Sequence, residues 1–425
     1  MDPGFAVLDR SGIDPKYTVG REGWATIKCA SKRAYGCGKG GNRAVQDLDL
    51  LWYHGDLQNL SSSSMSVRAG DKVFCWIDQL LAEKGGITVR CFRSKVEIVN
   101  NGLIVLTLSF TEYGGFQYYL VFDSVESSLC MIPYIPDRVS CYTRCPLPVR
   151  HDDGGYSLVL FGCEFGYGLQ CGKNFLWLCS PSLAESSVGS SDPWQIQTLS
   201  FPTEMKDKPF SPDVFFSSNG LAFWTDLALG TLRCDCSALI VRGVDDVVDF
   251  TFIELPPGCQ VDRNEETYSV EVYRTMGYDG GYIKFVSIDK PDDRPQTRVK
   301  VWTLAPSRLE WKLYSDIRLK SLWKDFKGAG LPKSLPMWPM LWEMEGSTLY
   351  FMLAEEIRTK DGVRFGKLYI CRLDMQTMSL LQSNLLTDTS SHQRPAILPS
   401  GFFKHLDPVP SRLEPVGQTD ATSSH

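Results

Sequence analysis

The chain has 425 residues, 43% of them apolar and 12% aromatic, with 44 Lys+Arg against 50 Asp+Glu for a formal net charge of -6. That apolar and aromatic content excludes a disordered chain, and the acid surplus excludes a global cationic field that would draw it to nucleic acid or an anionic membrane. No run approaches the roughly 18 uninterrupted apolar residues of a membrane span.

The first residues, MDPGFAVLDRSGIDPKYTVG, place acids where a signal peptide needs a cationic start, so a cytoplasmic or nuclear protein is expected. In such a reducing compartment the 14 cysteines are free thiols, and Cys75, Cys130, Cys163, Cys179 and Cys371 sit inside apolar runs as small hydrophobes. Residues 1–20 read as a flexible lead and 388–425, rich in Ser, Thr, Pro and Gly, as a disordered tail.

Between them, 21–387 reads as one β-domain. Trp24–Ala30 and Leu48–His54 are strands, the Ser61–Ser64 run is a loop, and Val73–Leu81 and Thr88–Phe92 are two more strands, giving an irregular first unit over 21–93. Val96–Val99 and Leu103–Phe110 flank Asn100-Asn101-Gly102, a hairpin signal, and Gln117–Phe122 and Leu129–Ile132 follow. Tyr156–Phe161, Phe175–Cys179 and Trp194–Leu199 form the next unit.

The stretch Pro212–Pro257 sets the pattern: Val214–Phe216, Leu221–Thr225, Thr231–Cys234 and Phe250–Leu255, with local Asn-Gly and Asp/Gly turns. Tyr268–Arg274, Tyr282–Ile288, Arg298–Leu304 and Trp311–Tyr314 make another four strands. One short helix is expected over Asp316–Phe326. Met340–Met344, Thr348–Ala354, Lys367–Leu373 and Met378–Leu385 complete the series. Recurring four-strand units predict an all-β, β-propeller-like array of about six four-stranded antiparallel blades, with a tandem of β-sandwiches as the architectural rival.

Several constellations invite chemistry. Gly36-Cys37-Gly38-Lys39-Gly40-Gly41 suggests a phosphate loop but lacks the spacing and the following Ser/Thr of one. Cys141/Cys145 and Cys234/Cys236 could offer thiolates to zinc, yet no second knuckle lies at a suitable distance. The histidines are His54, His151, His392, His405 and His425, and the carboxylate pairs Asp152-Asp153, Asp245-Asp246, Glu265-Glu266 and Asp292-Asp293 fall in expected loops. No cofactor, metal or catalytic residue is therefore expected.

Trp224, Asp226, Gly230, Cys234 and Asp235 form a Trp-x-Asp, loop, Gly, strand, Cys-Asp segment. By it the chain resembles the plant family of unknown function numbered DUF1618, expanded in grasses. Flanking features agree: Tyr119–Asp123 before Ile132-Pro133, SDPWQIQTLSF, Phe210–Asp213, and Leu322-Trp323 with Gly330–Pro332. The resemblance spans roughly 70 to 390 and implies no chemistry, since the family has none established. More distantly the blades resemble kelch and F-box-associated propellers, although no F-box helices precede them.

In the motif, Asp226 is expected to cap turn amides and Trp224 to pack between blades, although a ligand-stacking Trp224 on the rim is the sharper alternative. The expected function is a non-catalytic platform for an unknown protein partner, without nucleic acid or membrane. The alternatives are a propeller hydrolase acting on carbohydrate, or a ubiquitin-ligase substrate adaptor lacking its own F-box.

Overall fold

A computed structural model describes residues 5–9, 24–53, 63–83, 92–110, 116–135, 139–141, 146–165, 171–181, 193–205, 210–236, 247–263, 269–279, 281–289, 296–305, 309–341, 347–359, 362–386 and 396–399. It is all-β in plan: six small sheets stand as the blades of a propeller. The last three blades are simple meanders of four antiparallel strands. The fourth comprises Val214–Ser218, Leu221–Asp226, Gly230–Asp235 and Thr251–Glu254. The fifth comprises Arg274–Asp279, Tyr282–Ile288, Arg298–Leu304 and Trp311–Arg318. Met337–Leu341, Thr348–Thr359, Gly362–Asp374 and Leu380–Leu386 make the sixth.

The second blade runs Arg93–Asn100, Leu103–Ser109, Gln117–Asp123 and Ser128–Pro133, then takes Ser31–Ala34 as a parallel outer strand. In the third, Val139–Cys141 and Leu147–Arg150 share one side of Tyr156–Phe165, with Cys171–Cys179 and Gln195–Ser200 beyond. Turn chemistry fixes two of the inner hairpins. Asn101 and Gly102 have φ of 48° and 75°, and Asn219 and Gly220 have 49° and 73°. Two successive positive φ values match the twist of the flanking strands, which is why Asn-Gly marks both sites.

The central strands are covered on both faces, so Leu103–Ser109, Gln117–Asp123 and Leu221–Asp226 bury runs of residues rather than alternate ones. Four large apolar clusters fill the spaces between neighbouring blades. Phe161 of the third blade meets Trp224 of the fourth, and Phe351 of the sixth meets Phe326 of a helix.

Besides the fifth blade's expected first strand, Tyr268–Arg274, which is a helical turn at Val270–Val272 with the strand starting only at Arg274, four expectations need correction. Val73–Leu81 is not a strand: Asp71–Glu83 is a helix that buries Val73, Trp76, Ile77 and Leu81. Those positions recur at helical spacing, and the face packs on Ala44 and Val45 of a short helix, Gly41–Gln46. The serine run enters a strand, Ser63–Ala69, paired with Leu48–Tyr53. Further along that strand the buried Ser66 hydroxyl meets that of Ser94 at 3.3 Å. The expected helix at 316–326 begins later, at Leu319, because Arg298 and Lys300 hold Asp316 to Arg318 in the ladder. It ends at Gly328, where Gly330 (φ 71°) lets its own amide and that of Leu331 reach back to Lys327 and Phe326.

The fourth correction concerns the ends. Within the expected lead and tail, Phe5–Asp9 and Ala396–Pro399 are strands paired antiparallel, Phe5 opposite Pro399 and Leu8 opposite Ala396. They complete the first blade beside Ser63–Ala69, so the ring is closed by the two ends of the chain. Backbone groups that a terminal segment would otherwise expose find partners in this seam. The expected strand at Thr88–Phe92 lies, except for Phe92, outside the described residues.

Candidate functional site

The motif strand, Leu221–Asp226, is central in the fourth blade and carries Trp224 and Asp226 on opposite sides of Thr225. Alternation would put both on one face, so one packs while the other turns into the loop at the strand's end. Trp224 is fully buried, its ring 5.9 Å from Phe161 and 5.7 Å from Phe250. The sharper expectation of a rim tryptophan open to a ligand is therefore not what the structure shows.

Asp226 is buried as well, and its Oδ1 accepts the amides of Ala228 and Leu229 at 2.9 and 3.2 Å, capping the hairpin it terminates. Its Oδ2 accepts the Ser211 amide at 2.9 Å. Arg263, from the connection to the fifth blade, donates to Asp226 at 2.7 Å and, through both terminal nitrogens, to Asp213. Asp213 in turn accepts the Leu227 amide at 2.8 Å. One guanidinium thus clamps two carboxylates at the end of the blade.

Burial alone would lower the Arg263 guanidinium, but its hydrogen bonds to Asp213 and Asp226 outweigh that and hold it above its ordinary value. For Asp213 burial dominates and pushes the carboxyl up, with Arg263 pulling the other way. The rest of the motif serves the same packing. A side-chain carbon on Gly230 would fall on the Phe252 ring and lie 2.7 Å from the Ile253 carbonyl oxygen. Cys234 and Cys236 are buried neighbours, and Asp235 between them faces solvent.

A second aspartate–arginine clamp sits at the second blade, where Asp123 caps Val125 and Glu126 and receives both terminal nitrogens of Arg150 from the third blade. Beside it the inner strands of three blades are tied together. Asn100 and Ser217 both donate to the Pro148 carbonyl, at 3.0 and 2.8 Å, and Asn101 donates to Ser217. In the fifth blade the buried Asp279 and Lys284 pair with each other. Arg150, Arg263 and Lys284 had no local sequence signal. Arg263 lies 37 residues beyond Asp226, in a connection that no motif marks.

The other sequence candidates fall apart as sites. Gly40 and Gly41 lie against the Trp76 ring and Cys37, and a side-chain carbon on Gly36 would fall on Pro193, so the glycine loop is tight because it packs. Cys145, His54, His392, His405, His425 and the pairs at 245–246, 265–266 and 292–293 lie outside the described residues. Among the described residues no three His, Cys, Asp or Glu side chains gather as a metal site.

His151 Nε2 lies 2.9 Å from the Ser157 hydroxyl, but Ser157 is fully buried and shares its hydroxyl with Ser180. Burial lowers the His151 imidazole, against the opposing pull of Asp153 and Asp152. The fold therefore prefers the neutral ring, and this contribution, full above the unfolded value of about 6.5, is lost as pH falls through the window below it. Thermal midpoints taken from pH 8 to pH 5 should fall less in His151→Gln than in the unaltered protein, and parallel curves would refute this assignment.

Residues 224–350 match a family model described as Protein of unknown function (DUF1618), a stretch that opens on Trp224 itself. No curated protein matches the chain. Among solved structures, prolyl oligopeptidase B from Galerina marginata is similar at 10% identity and a TM-score of 0.34, over 92% of this chain and 43% of that one. The β-propeller domain of the Trilobed protease from Pyrococcus furiosus is similar at 8% identity and a TM-score of 0.30, over 69% and 97%. An α-L-arabinofuranosidase from Podospora anserina in complex with cellotriose is similar at 10% identity and a TM-score of 0.29, over 68% and 92%. At these values the likeness carries nothing about activity.

Proposed function

We propose that the protein is a non-catalytic platform whose fifth and sixth blades bind a protein partner. The observation that supports this reading is where apolar surface is left open. Tyr282, Leu313 and Tyr314 of the fifth blade and Ile357, Phe365 and Leu381 of the sixth are exposed large hydrophobics, while the second and fourth blades leave none open among their described strand residues. Ile357 and Phe365 belong to a two-stranded ribbon that runs on past the four-stranded part of its blade, where Met337–Leu341 and Leu380–Leu386 no longer flank it. Exposed apolar groups concentrated on one sector mark interaction surface more often than scattered ones do.

Hydrolysis of a glycoside would need two carboxylates facing one another across a pocket. Asp123, Asp226 and Asp279 are instead each engaged by a cation, which favours the platform over a carbohydrate-acting enzyme. Most described cysteines are buried free thiols, the reason we place the protein in the cytosol or nucleus. Its place in the plant family, beyond the matched segment, and an adaptor role in ubiquitin ligation belong to the same proposal.

The test is quantitative affinity purification of the full chain beside the variant Leu313→Ser, Ile357→Ser, Phe365→Ser, checked for an unchanged thermal midpoint. Partners retained by the unaltered chain and lost from the variant support the platform. Equal recovery from both, or turnover of a glycan panel by both, overturns it.

A further inference from the structure

The face beside those apolar groups carries charge that the fold itself does not use. In an acidic chain, residues 311–333 hold Lys312, Arg318, Lys320, Lys324, Lys327 and Lys333 against only Asp316 and Asp325. Asp316 is taken by Arg298, across the ladder at 2.6 Å. The helix Leu319–Gly328 buries Leu319, Leu322 and Phe326 and leaves Lys320, Lys324 and Lys327 exposed, at i, i+4 and i+7. They form one stripe roughly 10 Å long. None of the three is held in an ion pair with a described residue.

Helix electrostatics accounts for Lys327, in the last turn, where a cation meets the negative end of the dipole. It does not account for the other end. The first turn has no acidic residue, Arg318 stands at the N-cap without a side-chain cap bond, and Lys320 follows at once. Cations at that end oppose the dipole, and like charges at i, i+4 repel. Lys333 sits above the Trp323 ring at 5.9 Å, extending the same cationic surface. The outer strand of the fifth blade, Trp311–Arg318, leads straight into the helix. It is the edge of its sheet and exposes Lys312, Leu313 and Tyr314.

We infer that this face, edge strand plus lysine stripe, receives an acidic, partly apolar peptide segment of a protein partner, an inference that rests on the platform reading. The segment pairs along the open edge of Trp311–Arg318, covers Leu313 and Tyr314, and brings its carboxylates to Lys320, Lys324 and Lys327. Size and charge favour a peptide over a long polyanion. The cationic stripe spans about one Debye length, whereas a long polyanion or an anionic bilayer would also meet the rest of a chain whose acids outnumber its bases, 50 to 44. Lysine heads supply point charges rather than the planar forks that grip phosphate bidentately.

A library of random twelve-residue peptides displayed on phage tests it, selected on the full chain and counter-selected on Lys320→Glu, Lys324→Glu, Lys327→Glu. Recovered peptides should combine Asp/Glu with apolar residues, bind more weakly as salt rises, and lose roughly tenfold or more on the reversed chain. Peptides with Lys in place of Glu should bind the reversed chain instead. That swap keeps the result informative even if the reversal perturbs the helix, which Lys320→Gln, Lys324→Gln, Lys327→Gln checks independently. Selected peptides without acid enrichment, equal binding to both chains, or preferential binding of single-stranded RNA or phosphatidylserine vesicles would overturn the inference. If partner capture still depends on Leu313, Ile357 and Phe365 but ignores the lysine reversals, the platform stands and this inference alone falls.

Discussion

Trp224→Ala is expected to lower unfolding free energy by about 3–5 kcal/mol, the range for deleting a large buried aromatic side chain. The indole is fully buried between two blades, with Phe161 and Phe250 against it in one large apolar cluster. A rigid sheet on either side restricts collapse into that space, which places the effect high in the range. Urea titration checks it, with Leu313→Ala as an exposed control expected to change stability by no more than about 0.5 kcal/mol. A loss below about 1 kcal/mol for Trp224→Ala would mean that the blades do not depend on this contact.

Arg263→Met should cost about 2–3 kcal/mol. Removing the guanidinium leaves Asp226, 1% exposed, and Asp213, 9% exposed, without their counter-charge. Stranding a buried charge costs about 3–5 kcal/mol, but the Arg263 side chain is 35% exposed, so water reaches the clamp and the loss is reduced. The sign of the pH dependence is also fixed. Asp213 is already raised by burial, and without arginine the folded carboxyl rises further above its unfolded value of about 3.9. Protonation then favours the folded variant, so its deficit should narrow as pH falls from 7 toward 4. Stability titrations of both chains at those pH values decide the matter, and a deficit that widens on acidification would rule out the clamp.

The parts of the fold legible from sequence were those set by local turns. Asn100-Asn101-Gly102 and Ser217–Gly220 announced their hairpins because two successive residues there need positive φ. The four strands of 214–255 and three of the four expected over 268–314 followed from it, while Tyr268–Arg274 gives way to a helical turn at Val270–Val272 before the strand Arg274–Asp279. Asp71–Glu83 was misread because Val, Phe, Cys, Trp and Ile favour strands one by one, while the helical spacing of Val73, Trp76, Ile77 and Leu81 decides the burial. At the motif, the capping by Asp226 followed from its place before a short turn. Arg263 and Arg150 could not be anticipated, since each reaches its aspartate across a connection between blades and only the assembled ring brings them together.

The seam between Phe5–Asp9 and Ala396–Pro399 governs the order in which the protein can be made. Synthesis delivers the amino end first, and the fourth, fifth and sixth blades can each fold from a continuous stretch as it emerges. The first blade cannot: its outer strand, Ala396–Pro399, comes after the whole sixth blade in the chain. Until then Phe5–Asp9, the strand that Ala396–Pro399 covers, presents an open edge to the crowded cell. The nascent chain therefore carries one wound unhealed while all five later blades are made, and every ribosome that stalls short of Ala396 releases a ring that cannot shut.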